Sequence, residues 1–177
     1  KYLEGINPTP ETIASLMSRA IAEQHLVPIL CCCGKFNIGL PELLEAVATY
    51  GPSPVAIPRT ATKNGDTISI KPDPNGPLVA RVFKTRIDPF VQKLSFIRVY
   101  SGTIKKDDHL RNINTGKEER MQNLFSVMGK ELANSADLIA GDIGVVTKLD
   151  DLITTHTLSS MTASIVVTPP VFPTPLY

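Results

Sequence analysis

Proline is spread so unevenly along these 177 residues that it limits the folds open to the chain. Eleven of the fifteen prolines lie in residues 1–89 and four in 169–175, leaving 79 consecutive residues without one. Proline has no backbone donor, so within sheets it is confined to edges, turns and linkers. The Pro-free block therefore reads as one β-rich or mixed domain between connecting segments. The length suits one domain, or a small domain plus a piece of another. Eighteen Lys and Arg against seventeen Asp and Glu give a formal charge of +1, which supports neither a polycation nor an acidic tail. A local basic face stays open.

Several classes are set aside by the same inspection. No apolar run is long enough for a membrane-spanning helix, and no membrane partner is expected. No basic segment followed by an apolar stretch opens the chain, so no signal peptide is expected. The chain opens on Lys1 rather than Met, which suggests an excised segment of something longer. Cys31, Cys32 and Cys33 are consecutive. They fit no disulfide framework, and a reducing, cytoplasmic setting is the natural expectation.

The first fifty residues read as helix, strand, helix. Thr9-Pro10-Glu11 combines an N-cap oxygen, a proline at the first helical position and a carboxylate at the positive dipole end. Ile13, Leu16, Met17, Ala20 and Ile21 follow at helical spacing. Residues 27–31 form a short apolar run expected to be a buried strand. Pro41 opens a second helix and Gly51 stops it. One strand between two helices is an incomplete α/β piece. Residues 52–77 then read as a linker or edge region, with turn signals at Asn64-Gly65 and Asn75-Gly76 and a weak strand near 67–70.

From Leu78 the apolar period becomes two. Strands are expected at 78–84, 93–100, near 109–113, 119–127, 143–149 and 157–159, with a hairpin turn at Asn114-Thr115-Gly116-Lys117 and an exit strand at 161–167. Six or so short strands spaced near ten residues apart point to a small closed barrel.

Three apparent motifs do not survive their chemistry. Gly34-Lys35 lacks the glycine five positions earlier, where Ile29 stands, and the following hydroxyl, where Phe36 stands, so it is no phosphate loop. Consecutive cysteines on a strand point to opposite faces and cannot share an ion, which favours small apolar filling and no metal site. Thr147-Lys148-Leu149-Asp150 matches the loose pattern by which GTPases read guanine, but it ends a barrel strand and no phosphate loop precedes it. Asp142 is read as a turn residue rather than a magnesium ligand. No catalytic residue is expected.

Charge is more informative. Arg81, Lys84, Arg86, Lys93 and Arg98 face one acid, Asp88, in residues 81–98, a local balance of five minus one, or +4. A phosphate backbone could use such a cluster. So could a solvated sheet edge whose lysines deter edge pairing.

The barrel strands carry a resemblance. Pro77-Leu78-Val79-Ala80-Arg81-Val82-Phe83-Lys84, Asp88-Pro89-Phe90-Val91-Gln92-Lys93-Leu94 and Phe96-Ile97-Arg98-Val99-Tyr100-Ser101-Gly102 resemble the second domain of bacterial elongation factor G. Ala140-Gly141-Asp142-Ile143-Gly144 and Thr157-Leu158 sit where that family has its closing strands. Lys1-Tyr2-Leu3-Glu4-Gly5, Val27-Pro28-Ile29-Leu30-Cys31 and Leu43-Leu44-Glu45-Ala46-Val47 resemble the end of its GTP-binding domain, and Phe172-Pro173-Thr174-Pro175 the start of its third domain. Lys105-Lys106-Asp107-Asp108 departs from the family, where a glycine turn is usual, and Phe125-Ser126-Val127-Met128-Gly129-Lys130 is closer to divergent paralogues, the preferred reading.

The resemblance implies a mainly β chain. Residues 1–58 would be the last helix–strand–helix of a GTP-binding domain, 59–76 a linker, 77–163 a closed six-stranded Greek-key barrel and 164–177 an exit segment. It implies a fragment of a translational GTPase whose full-length form uses GTP and magnesium and promotes translocation, while the fragment is no enzyme and holds no cofactor. Cys32, Cys33 and Gly34 would be the remnant of the guanine-contact loop, where the family usually reads Cys-Gly-Ser-Ala. Lys84, Arg86, Lys93 and Arg98 would touch small-subunit ribosomal RNA, and the absent domains of the same chain would be the other partners. A ribosomal-protection protein, or a barrel for protein interaction with no ribosomal role, are the alternatives.

Overall fold

A computed structural model describes residues 5, 7–57, 59–89, 92–171 and 173–174. The family-like residues 1–4 and 90–91, with Phe172 and Pro175 of the exit segment, lie outside the described residues. The chain divides into two compact units, Lys1–Ile57 and Pro58–Tyr177.

In the first unit, helix α1 spans Pro10–Ala22 and α2 spans Leu40–Tyr50. Thr9 caps α1, its hydroxyl accepting from the Thr12 amide at 3.3 Å. Gly39 starts α2 at φ 72°, where an added Cβ would stand 2.5 Å from the Cys31 carbonyl oxygen. The Ser18 hydroxyl donates to the Thr49 carbonyl at 3.2 Å, tying α1 to α2. The buried strand expected at 27–31 does not form: these residues pair with nothing among those described, and Val27 and Ile29 are 80% and 90% exposed. A strand needs a neighbour to take its amides. The cysteine triplet is therefore not apolar filling. Cys31 and Cys32 are exposed and Cys33 half-buried, all as free thiols.

The second unit is almost wholly β. Asn64 and Gly65, both at positive φ, turn β1 (Arg59–Lys63) back onto β2 (Asp66–Ile70), and β13 (Ile165–Val166) joins them in the order β13-β1-β2. So a three-stranded sheet occupies the stretch read as linker. The main sheet holds β3 (Val79–Asp88), β4 (Gln92–Ser101), β6 (His109–Asn112), β7 (Glu118–Arg120), β8 (Leu124–Met128), β9 (Glu131–Asn134), β11 (Ile143–Thr147) and β12 (Thr157–Ser159). Their order is β7-β6-β12-β3-β4-β11-β8-β9, and β5 (Thr103–Lys105) pairs separately with β10 (Asp137–Ile139).

The closed six-stranded barrel is thus corrected to a curled, half-barrel sheet of eight strands, whose ladder ends at β7 and β9. Two local events account for the difference. The stretch expected as one strand at 119–127 breaks at Met121, whose amide turns to the Asp108 carbonyl at 2.9 Å, giving β7 and β8. Each then gains or forms a hairpin partner, so strands are added at the edges. Register shifts at Val79/Ala80 and Val82/Lys84 in the β3–β4 pair curl the sheet. Its concave side holds the core: Ala80, Val82, Ile97, Val99, Met121 and Leu158 are each fully buried. A smaller cluster, including Val79, Ala61, Ile70 and Ile165 with Tyr100 against it, lies on the other side of β3–β4.

Candidate nucleic-acid interface

The basic cluster falls on the β3–β4 hairpin, and strand alternation sorts it. Ile97 and Val99 point into the core at 0% exposure, so Leu94, Phe96, Arg98 and Tyr100 line the outer face. Across the ladder, Lys84 pairs with Phe96, Arg86 with Leu94, and Arg81 with Arg98. The outer face therefore carries Arg98 with Arg81, then Lys84, then Arg86, with apolar side chains between them. Lys84 Nζ lies 5.5 Å from the Phe96 ring centroid, a cation–π contact, and Phe83 tilts at 58° to Phe96 with centroids 6.2 Å apart. Beyond Arg86 the face continues into a groove of about 130 Å³ floored by Leu94, Phe96, Val127 and Leu132 and edged by Arg86, Asp88 and Lys130. Among the described residues, Lys84, Arg86 and Arg98 form no ion pair.

Lys93 is not part of this face. It shares its pleat with Ser95 and Ile97, and its ammonium donates to the Asp150 carbonyl at 2.6 Å. Its charge acts on Glu119, Asp151 and His156 at that end of the sheet. The structure thus brings Lys84, Arg86 and Arg98 together and turns Lys93 to the opposite side. A net charge summed over residues 81–98 mixes both faces of a hairpin. Counting alternate residues from Phe96 would have separated them, and would have pointed to the aromatic floor that charge alone missed.

The loop at Cys32, Cys33 and Gly34 is held locally. The Cys33 amide donates to the Ile38 carbonyl at 2.8 Å, so this donor is already engaged within the loop. Lys148 sits at φ 62° just past β11, and Thr147 is buried opposite Leu94, so the guanine-like tetrapeptide is a strand end and its turn. Asp142 accepts from the Ile139 amide at 2.9 Å, a turn role. Among the described residues, no three His, Cys, Asp or Glu groups come together as metal ligands, and no helix is long and apolar enough to cross a membrane.

Residues 77–161 match the family described as elongation factor G domain 2. Residues 77–161 of the chain form an elongation factor G domain 2. A crystal structure of a Thermus thermophilus protein superposes with a TM-score of 0.68 at 29% identity, covering 90% of this chain. This chain spans 22% of that protein's length.

The matched domain 2 contains the whole outer face of β3–β4. It also contains the departure at Lys105-Lys106-Asp107-Asp108, which the structure accommodates. Asp107 takes the left-handed conformation at φ 67° that a glycine would otherwise supply, and Asp108 accepts from the Lys105 amide at 2.7 Å.

Proposed function

We propose that this chain is a segment of a ribosome-associated translational GTPase resembling elongation factor G, and that its domain 2 docks on small-subunit ribosomal RNA through the outer face of β3–β4. One observation carries the reading: Lys84, Arg86 and Arg98 stand in a row on one face of a matched domain 2, without carboxylate partners among the described residues. Unpaired cations at repeating strand positions suit a phosphate backbone, which supplies affinity through counterion release. GTP and magnesium belong, in this reading, to the full-length protein, whose activity would be translocation. Residues 1–58 would be the end of its GTP-binding domain.

The test is ribosome binding by the full-length protein, followed by sedimentation across a salt series. Lys84→Ala with Arg86→Ala should weaken binding and flatten the slope of log affinity against log salt by about 1–2 units, since each phosphate contact contributes about 0.7–0.9. Binding that is unaltered at every salt concentration, or absent in the unmodified protein, rejects the docking.

A further inference from the structure

Arg81 and Arg98 are direct register partners in the β3–β4 ladder, and both are half-buried on its outer face. Like charges placed directly opposite one another destabilise a sheet unless something lies between them. No carboxylate among the described residues forms an ion pair with either guanidinium. Arg81 is nonetheless held in place. One of its terminal nitrogens donates to the Thr168 carbonyl at 3.3 Å, while its Nε is buried with no partner. The pair thus has a fixed fork, an unspent donor at its base and a second arginine, in no ion pair among the described residues, as its register partner.

We infer that Arg81 and Arg98 form an oxyanion site that takes a phosphate group. Two planar forks present donors suited to several oxygens at once, as phosphate offers. The neighbouring cations favour a phosphodiester chain over a lone carboxylate. Lys84 and Arg86 follow on the same face, two residues apart, a repeat of about 6.7 Å along a strand. In the RNA context this inference rests on the docking reading above, and it names the anchoring pair within that face. The Thr168 contact makes Arg81 the pre-ordered half and Arg98 the half that closes.

The experiment uses the 177-residue chain with ¹⁵N-labelled arginine. Inorganic phosphate and, separately, a single-stranded RNA octanucleotide are titrated while the arginine Nε–Hε resonances are followed. The Arg81 and Arg98 signals should move with both ligands, and RNA should act at a concentration at least tenfold lower. Arg98→Gln should abolish the phosphate response. It should also raise the melting temperature in phosphate-free buffer, because it removes the facing charge, and should lose the stabilisation that phosphate gives the unmodified chain. Signals at Arg81 and Arg98 that stay fixed with both ligands overturn the site, as does a phosphate response that survives Arg98→Gln. A response to phosphate alone shows a small-anion site and overturns its assignment to RNA. Loss of ribosome binding on changing Lys84 and Arg86, with the arginine pair silent, sinks this inference and leaves the docking intact. A responding pair alongside salt-independent ribosome binding does the reverse.

Discussion

The Asn112 amide donates to His156 Nδ1 at 3.1 Å, with Asn112 at 0% and His156 at 9% exposure. The Ile153 amide approaches the same nitrogen at 3.5 Å, so Nδ1 serves as an acceptor and the ring proton resides on Nε2. Burial first, and the Lys93 charge second, hold the imidazole pKa below its ordinary value. A depressed histidine pKa means that the folded state prefers the neutral ring. Its stabilising contribution is present above the unfolded pKa and lost as pH falls through that value toward the folded one. The chain should therefore lose stability as pH falls below about 6.5, and Asn112→Ala should cost about 1–3 kcal/mol by stranding a buried acceptor. Urea denaturation at pH 7.5, 6 and 5 checks both. An Asn112→Ala chain as stable as the original would remove the argument.

Glu119 acts with the opposite sign at the same end of the sheet. It is 8% exposed, its Oε1 is buried without a partner, and burial followed by the Asp151 charge raises its pKa. A raised carboxylate pKa contributes stability that is complete below the unfolded value and lost as pH rises through the folded one. Glu119→Gln should therefore raise the melting temperature at pH 7–8 and have little effect near pH 4. An increment that is equal at both pH values would show that the carboxylate's charge is not the cause.

What was legible in the sequence was local. Thr9, Pro10 and Gly51 mark helix ends by their own chemistry, and the period-two stretches from Leu78 onward mark β3, β4, β11 and β12. The expected strand at 27–31 failed because apolar character fixes burial only where a neighbouring strand exists. The count of eight strands escaped because β7 and β9 are short returns, made by a turn at Met121 and by Gly129 at φ 62°. In the candidate site, charge summed along the chain picks out the β3–β4 hairpin. It could not separate its two faces, which is why Lys93 was grouped with Lys84 and Arg86.

That separation can be tested. Lys93 donates to the Asp150 carbonyl and faces Glu119, so its removal should act on the fold. Lys93→Ala should cost about 1 kcal/mol, below the usual range for a charged hydrogen bond because the side chain is half-exposed. It should leave the salt slope of ribosome binding where it was. Lys84→Ala should do the converse, with stability little changed and the slope reduced. A Lys93→Ala slope change matching that of Lys84→Ala would place both lysines on one face.

Gly102 carries the sharpest steric prediction. It follows β4 at φ +78°, and an added Cβ would stand 2.6 Å from Leu78 Cα and 2.9 Å from the Leu78 nitrogen. Its own amide donates to the Asp73 carbonyl at 2.8 Å, so the backbone cannot rotate away without breaking that bond. The left-handed conformation alone costs a non-glycine residue about 1–2 kcal/mol. Forcing backbone atoms apart adds roughly 1–3 kcal/mol. Gly116 supplies the control, with φ +74° and nothing within 4 Å of an added Cβ. Gly116→Ala should lose only the conformational part, and Gly102→Ala should lose about 2–5 kcal/mol, the sum of the two. Chemical denaturation of both variants side by side measures the difference, which isolates the contact with Leu78. Equal losses would mean that the β4 end relaxes freely around the new methyl group.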